Sequence, residues 1–156
     1  MIKTVSLNSR SSHEREALLP FQEALTRLGL RGYSTQSLDN RIVLGCGYFQ
    51  FGDLRVDADT RHIIIEVDHS GVTNLVKYWQ CVESGLIKKP IVLIHLYRQN
   101  TSGDYASHVA LWEFLNHQMS SALGDKFTAH VFTYNPARLR SDLTAAVALF
   151  ENLLSM

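Results

Sequence analysis

The chain has 156 residues, 46% hydrophobic and 19% charged, with 15 basic against 15 acidic side chains and a formal net charge of +0. These proportions describe one ordinary globular domain, long enough to build a core without disulfides or metal staples. They exclude a chain drawn to nucleic acid or anionic membrane by its overall field, so any polyanion binding needs local clustering.

A first helix is expected to open at Ser11, where Glu14 completes a capping-box pattern. Leu18, Phe21, Leu25 and Leu28 recur at helical spacing, Gly29 offers a stop, and Pro20 should kink the helix or mark a late start. Gly32 to Asn40 reads as polar turn. Arg41 to Phe51 is β-rich, with Gly45 and Gly47 suggesting a bulge or tight bend. Two strands follow, Phe51–Asp57 and His62–Asp68. Thr73 then caps a helix whose apolar stripe is Leu75, Trp79, Val82 and Leu86, broken at Lys88-Lys89-Pro90.

The run Ile91 to Tyr97 is nearly all apolar and reads as a strand buried on both faces. After a polar loop, Arg98 to Ala106, a helix carries Val109, Trp112, Leu115 and Met119. Phe127 to Tyr134 is a further strand. Asn135-Pro136 starts a last helix, striped by Leu139, Leu143, Val147, Phe150 and Leu154. The order α-β-β-β-α-β-α-β-α, without repeat or linker, predicts a single α/β domain with a mixed sheet flanked by helices.

The densest chemistry lies between Gly52 and Asp68. If Asp59 and Thr60 form a two-residue turn, Val56 faces Ile63 and Asp53 falls opposite Glu66. Alternation then places Asp53, Arg55 and Asp57 on one face with Ile64, Glu66 and Asp68. Leu54, Val56, Ile63, Ile65 and Val67 share the other, as the core side. Opposed Cβ atoms lie roughly 4.5–5.5 Å apart, where like charges destabilise, so a divalent cation is one reason to gather them. A solvated hairpin face is the alternative. Asp-Thr is not a preferred hairpin turn, and a loop of other parity would shift the pairing.

This helix–strand order and hairpin resemble the restriction-endonuclease-like, or PD-(D/E)xK, superfamily. Gly52-Asp53 stands where the family has Pro-Asp, and Glu66-Val67-Asp68 where it has Glu-x-Lys. The resemblance implies a core over about 11–97, with a C-terminal α-β-α addition over about 105–156. It implies that Asp53 and Glu66 ligate magnesium or manganese, with the Val67 carbonyl as a further candidate ligand, for hydrolysis of a phosphodiester, foremost in DNA. Asp68 replaces the strand lysine and would serve as base or further metal ligand. Some members carry the lysine on the following helix, which here points to Lys77.

Against that, at about 100° per residue Lys77 falls roughly opposite the stripe of its helix, as a solvated lysine would. Gln80 and Glu83 flank the stripe instead. Glu16 and Glu23 on the first helix could add a carboxylate or be surface charge. The expected partners are nucleic acid and, in a homodimer, a second copy of the chain, with no membrane. The rival reading is a catalytically degenerate module of the same fold that binds nucleic acid or protein. An unrelated α/β fold sharing the order is a third.

The remaining residues carry weaker signals. The seven histidines show no zinc spacing, although His69 beside Asp68 could act as a general acid. Ser70-Gly71-Val72-Thr73 could touch a phosphate at a helix start. Arg41, Arg55, Arg61 and Arg98 are candidates for a nucleic-acid groove, whereas Lys88 and Lys89 read as loop charges. Cys46 and Cys81 fit free thiols in a reducing compartment. Met1 to Asn8 lacks the apolar core of about 7–15 residues of a signal peptide, and no apolar run nears the ~20 residues of a membrane span. A cytoplasmic chain is expected.

Overall fold

Ile63, Ile64, Ile65 and Val67 are consecutive or alternate on one strand and all buried, so that strand must be covered on both faces. The structure, a computed structural model, describes residues 12–68, 72–99 and 105–156, the last stretch with side chains from His108 onward. Helix α1 (Ser12–Leu28) leads into a short strand β1 (Tyr33–Ser34), then β2 (Arg41–Leu44) and β3 (Gly47–Gln50). Strands β4 (Leu54–Asp57) and β5 (His62–Asp68) are followed by α2 (Thr73–Glu83) and β6 (Ile91–Arg98). Helix α3 (Tyr105–Leu123), β7 (Phe127–Tyr134), α4 (Leu139–Asp142) and α5 (Thr144–Leu154) complete the chain.

The main sheet has the order β1-β4-β5-β6-β7. Its first three strands are antiparallel, and β5, β6 and β7 run parallel. One face packs Leu54, Val56, Ile63, Ile65 and Ile94 against Phe21 and Leu25 of α1 and Phe150 of α5. The other packs Ile64 and Leu93 against Leu75 and Tyr78 of α2 and Trp112 and Met119 of α3. The chain is therefore a mixed α/β domain with helices on both faces. No helix of the described residues is long and apolar enough to cross a membrane.

Several expectations change. The three strands predicted before α2 are five, because Arg41 to Gln50 folds back on itself as a separate two-stranded ribbon, turning at Gly45-Cys46. The edge of the main sheet comes instead from Tyr33–Ser34, inside the stretch read as turn. Tyr33 is held there by the Arg55 guanidinium, 4.5 Å from its ring centroid. Helix α1 runs through Pro20. The last helix is broken: the Asn135 side chain accepts from the Ala137 N–H and caps a 3-10 turn, and α4 and α5 follow separately. The carboxylate side of the hairpin is also core, since α2 and α3 cover it.

Candidate functional site

The β4–β5 ladder has the register that the simplest turn requires: Val56 pairs with Ile63, Asp57 with His62 and Leu54 with Ile65. Ala58 N–H donates to the Arg61 carbonyl at 3.0 Å and closes the Asp59-Thr60 turn. Asp53 lies one residue ahead of β4 and continues the ladder, its N–H donating to the Ile65 carbonyl at 2.9 Å. Gly52 makes that entry. Its φ of 85° is left-handed, and a Cβ there would collide with the Ile64 Cγ2 methyl. Proline cannot adopt that φ, so the Pro-Asp pattern is physically barred here. The buried Asp53 side chain turns along the strand, and its Oδ2 accepts from the Val67 N–H at 2.8 Å.

Glu66 is buried at 4% exposure and accepts two bonds at Oε1. One comes from the Lys77 ammonium at 2.9 Å and one from the Tyr78 hydroxyl at 2.5 Å. The same ammonium donates to the Gln50 carbonyl at 2.9 Å and lies 4.5 Å from the Tyr78 ring centroid. Burial, then the charges of Glu66 and Asp53, push the Tyr78 hydroxyl well above its usual range, so it stays a donor.

Lys77 is thus not solvated: its side chain is 10% exposed. The buried arc of α2 is Leu75, Tyr78, Cys81 and Val82, while Leu86 lies beyond the end of the helix. That arc is turned by roughly 60° from the expected stripe, which brings Lys77 to its edge. From there a flexible stem carries the ammonium inward. Gln80 and Glu83, expected nearer the site, are exposed.

Asp68 is fixed by a different set of groups. Its Oδ2 accepts from the Asn74 amide at 2.7 Å and lies 2.7 Å from His95 Nε2. The Trp112 indole N–H points at His95 Nδ1 from 2.9 Å, and indole can only donate. The network therefore assigns the ring proton to Nε2, donated to Asp68. Burial pushes the Asp68 carboxyl up, but the His95 and Asn74 hydrogen bonds and the Lys77 charge outweigh it, and the net direction is down.

His95, Trp112, Tyr78 and Asn74 are the members that sequence reasoning missed. The usable signal is His95, the one imidazole in the apolar run Ile91 to Tyr97, which the parallel register sets beside Glu66.

The other candidates fall elsewhere. Arg55 is a core residue, its Nε 3.1 Å from Asp57 and its guanidinium over the Tyr33 and Phe51 rings. Glu16 lines a cavity of about 380 Å³ together with Asp53, whereas Glu23 is bound to Arg140 at 2.9 and 3.0 Å on the far side. His62 pairs with Asp57 at 2.6 Å, and burial lowers its proton affinity. His69, Ser70 and Gly71 lie outside the described residues.

Among the described residues no three His, Cys, Asp or Glu side chains gather as a metal-holding group. Asp53, Glu66 and Asp68 follow one another along the same end of the hairpin, and each carboxylate already accepts from protein donors. Comparison with family models, with curated proteins and with solved structures returned no match to this chain.

Proposed function

We propose that the chain is a magnesium-dependent phosphodiesterase acting on nucleic acid, foremost DNA. In this reading it is restriction-endonuclease-like, with the motif lysine moved from the strand to the following helix. The observation that carries the reading is Lys77 Nζ, drawn into the protein at 2.9 Å from Glu66 Oε1, on the hairpin that also holds Asp53. The order α1, β1, β4, β5, α2, β6, antiparallel and then parallel, supports it, with the β2–β3 ribbon as an insertion.

Asp53 and Glu66 are the residues that would hold magnesium or manganese. Their donor set is oxygen alone, and such ions are commonly bound by one or two carboxylates with water and substrate phosphate. Among the described residues Glu66 meets its hydrogen-bond partners through Oε1, which leaves Oε2 for the ion. The ion would stabilise charge developing on the phosphate. Lys77 offers a second positive group beside the same carboxylate, placed to orient the attacking water and a phosphate oxygen. Asp68 keeps Oδ1 for the water while Oδ2 stays with His95 and Asn74. In the reaction, water adds to phosphorus, the bond to the leaving oxygen breaks, and that oxygen takes up a proton.

The test is magnesium-dependent cleavage of labelled DNA. Asp53→Ala and Glu66→Ala should abolish it, and Lys77→Ala should slow it about 10²–10³-fold, as loss of one preorganised charge-stabilising donor does. Robust cleavage by both carboxylate variants refutes the assignment. The second reading, a catalytically degenerate module of the same fold, is favoured by one observation: Asp68, in place of the strand lysine, is committed to buried His95. Calorimetric titration with magnesium or manganese separates the two, because the module predicts no binding that depends on Asp53 or Glu66.

A further inference from the structure

The basic side chains of this neutral molecule are not evenly spread. Arg41, Lys88 and Lys89 line one cleft of about 370 Å³, and no carboxylate lines it with them. Its floor is apolar, formed by buried Ile42, Phe51 and Ile87, and its rim carries Val43 at 72% and Leu86 at 45% exposure. Asp57, which pairs with the lining His62 at 2.6 Å, is also engaged by Arg55 at 3.1 Å. Lys89 donates to the Ala58 carbonyl at 3.0 Å, which fixes it at the cleft, and among the described residues no carboxylate is paired with it.

The β2–β3 ribbon links the cleft to the carboxylate site. Arg41 pairs across the ribbon with Gln50, whose carbonyl accepts from Lys77. His62 and Glu66, at the two ends of this stretch of β5, are roughly 13 Å apart along the strand. On the outer face of the same ribbon, the Arg41 guanidinium stacks 4.0 Å from the centroid of Tyr48, a ring 51% exposed. A basic rim over an apolar floor, with an aromatic face beside it, is the pattern that holds an unpaired strand: cations track phosphates while bases meet apolar and aromatic surface. A duplex hides its bases and has no use for such a floor.

We propose that this cleft binds a single-stranded nucleic acid, as the track that leads a strand to or from Glu66 and Lys77. The choice of ligand rests on the phosphodiesterase reading, and binding can be measured without cleavage. The probe is a labelled oligothymidylate in EDTA, followed by fluorescence anisotropy across a sodium chloride series.

In the triple variant Arg41→Ala, Lys88→Ala, Lys89→Ala, the slope of log affinity against log salt should fall by about 2, since each lost single-strand phosphate contact removes about 0.7. The pair Lys88→Gln, Lys89→Gln, confined to exposed loop positions, should lower it by about 1.4 and guards against a folding defect in the triple. Arg138→Ala, on the α1–α5 side and 67% exposed, should leave the slope unchanged. A wild-type slope in both cleft variants overturns the inference. So does tighter binding of a blunt duplex of equal length, or displacement of the strand by poly-glutamate at equal charge. Wild-type chain that binds through the cleft but never cleaves with magnesium keeps this inference and overturns the phosphodiesterase reading. Cleavage with an unmoved slope overturns the cleft alone.

Discussion

On the face of the sheet under α1 and α5, strands β4, β5 and β6 present Leu54, Ile63, Ile65 and Ile94, with no charged side chain among them. On the face under α2 and α3, alternate residues of the same strands include Arg55, Glu66 and His95, all buried. A dry face is held by area and close packing, which are non-directional and forgiving of exact contacts. The polar face is directional: each buried group needs its own partner, and Glu66, Arg55 and His95 have Lys77, Asp57 and Asp68. Losing one partner there strands the other, which costs more than the contact itself contributed.

Two truncations test that difference. Phe150→Ala empties the dry face, where its ring meets Phe21 edge-on at 5.4 Å, and should cost about 3–5 kcal/mol in urea denaturation. Glu66→Ala should cost a similar ~3–5 kcal/mol by stranding the Lys77 ammonium. The two should part company on a second change. Adding Lys77→Met should return much of the loss to Glu66→Ala and none to Phe150→Ala. If Lys77→Met leaves Glu66→Ala as unstable as before, the polar face is not held by pairwise partners.

A smaller effect is expected where the two faces meet at the hairpin entry. Gly52→Ala forces a left-handed residue and a clash with Ile64, at a cost of about 1–3 kcal/mol. The Asn40 amide, donating to the Gly52 carbonyl at 2.9 Å, holds this backbone from the other side. Because Asp53 follows directly, the proposed metal affinity should fall along with stability. A variant that lost stability but bound manganese as well as the parent would detach the turn from the site.

The sequence made the dry alternation legible and the polar partners much less so. Strands His62–Asp68 and Phe127–Tyr134 begin and end where their apolar patterns do, and the β4–β5 register follows from the turn. Strand β1 could not be read, because two residues carry no period. The phase of α2 departs from the expected stripe for a physical reason. Leu86 belongs to the expected stripe but lies past the turn at Gly85, with φ 77°, whereas Tyr78 and Cys81, outside that stripe, are buried. The true phase puts Lys77 at the edge of the buried arc, and the reach of its stem does the rest. His95 needed the parallel register between β5 and β6, which is fixed by packing around α2 rather than by any local pattern.

The smallest expected effect concerns Asp68, which joins the two ideas because its partners sit on the polar face while its carboxylate stands 26% exposed at the rim. A carboxyl with a lowered folded-state pKa stabilises the fold above its ordinary value of about 4, and the contribution is lost as pH falls through the lowered value. Urea midpoints should therefore show no loss from this group at neutral pH and a loss only in the acid limb. Asn74→Ala removes one of the bonds that hold the carboxyl down, so burial gains weight, the folded-state value moves back towards the ordinary one, and the acid loss should be smaller and complete at higher pH. The neutral-pH cost should be about 1 kcal/mol, that of one hydrogen bond. Carbon-detected titration of the Asp68 carboxyl reads the same shift directly. An unchanged titration in Asn74→Ala would mean that His95, backed by Trp112, holds Asp68 by itself.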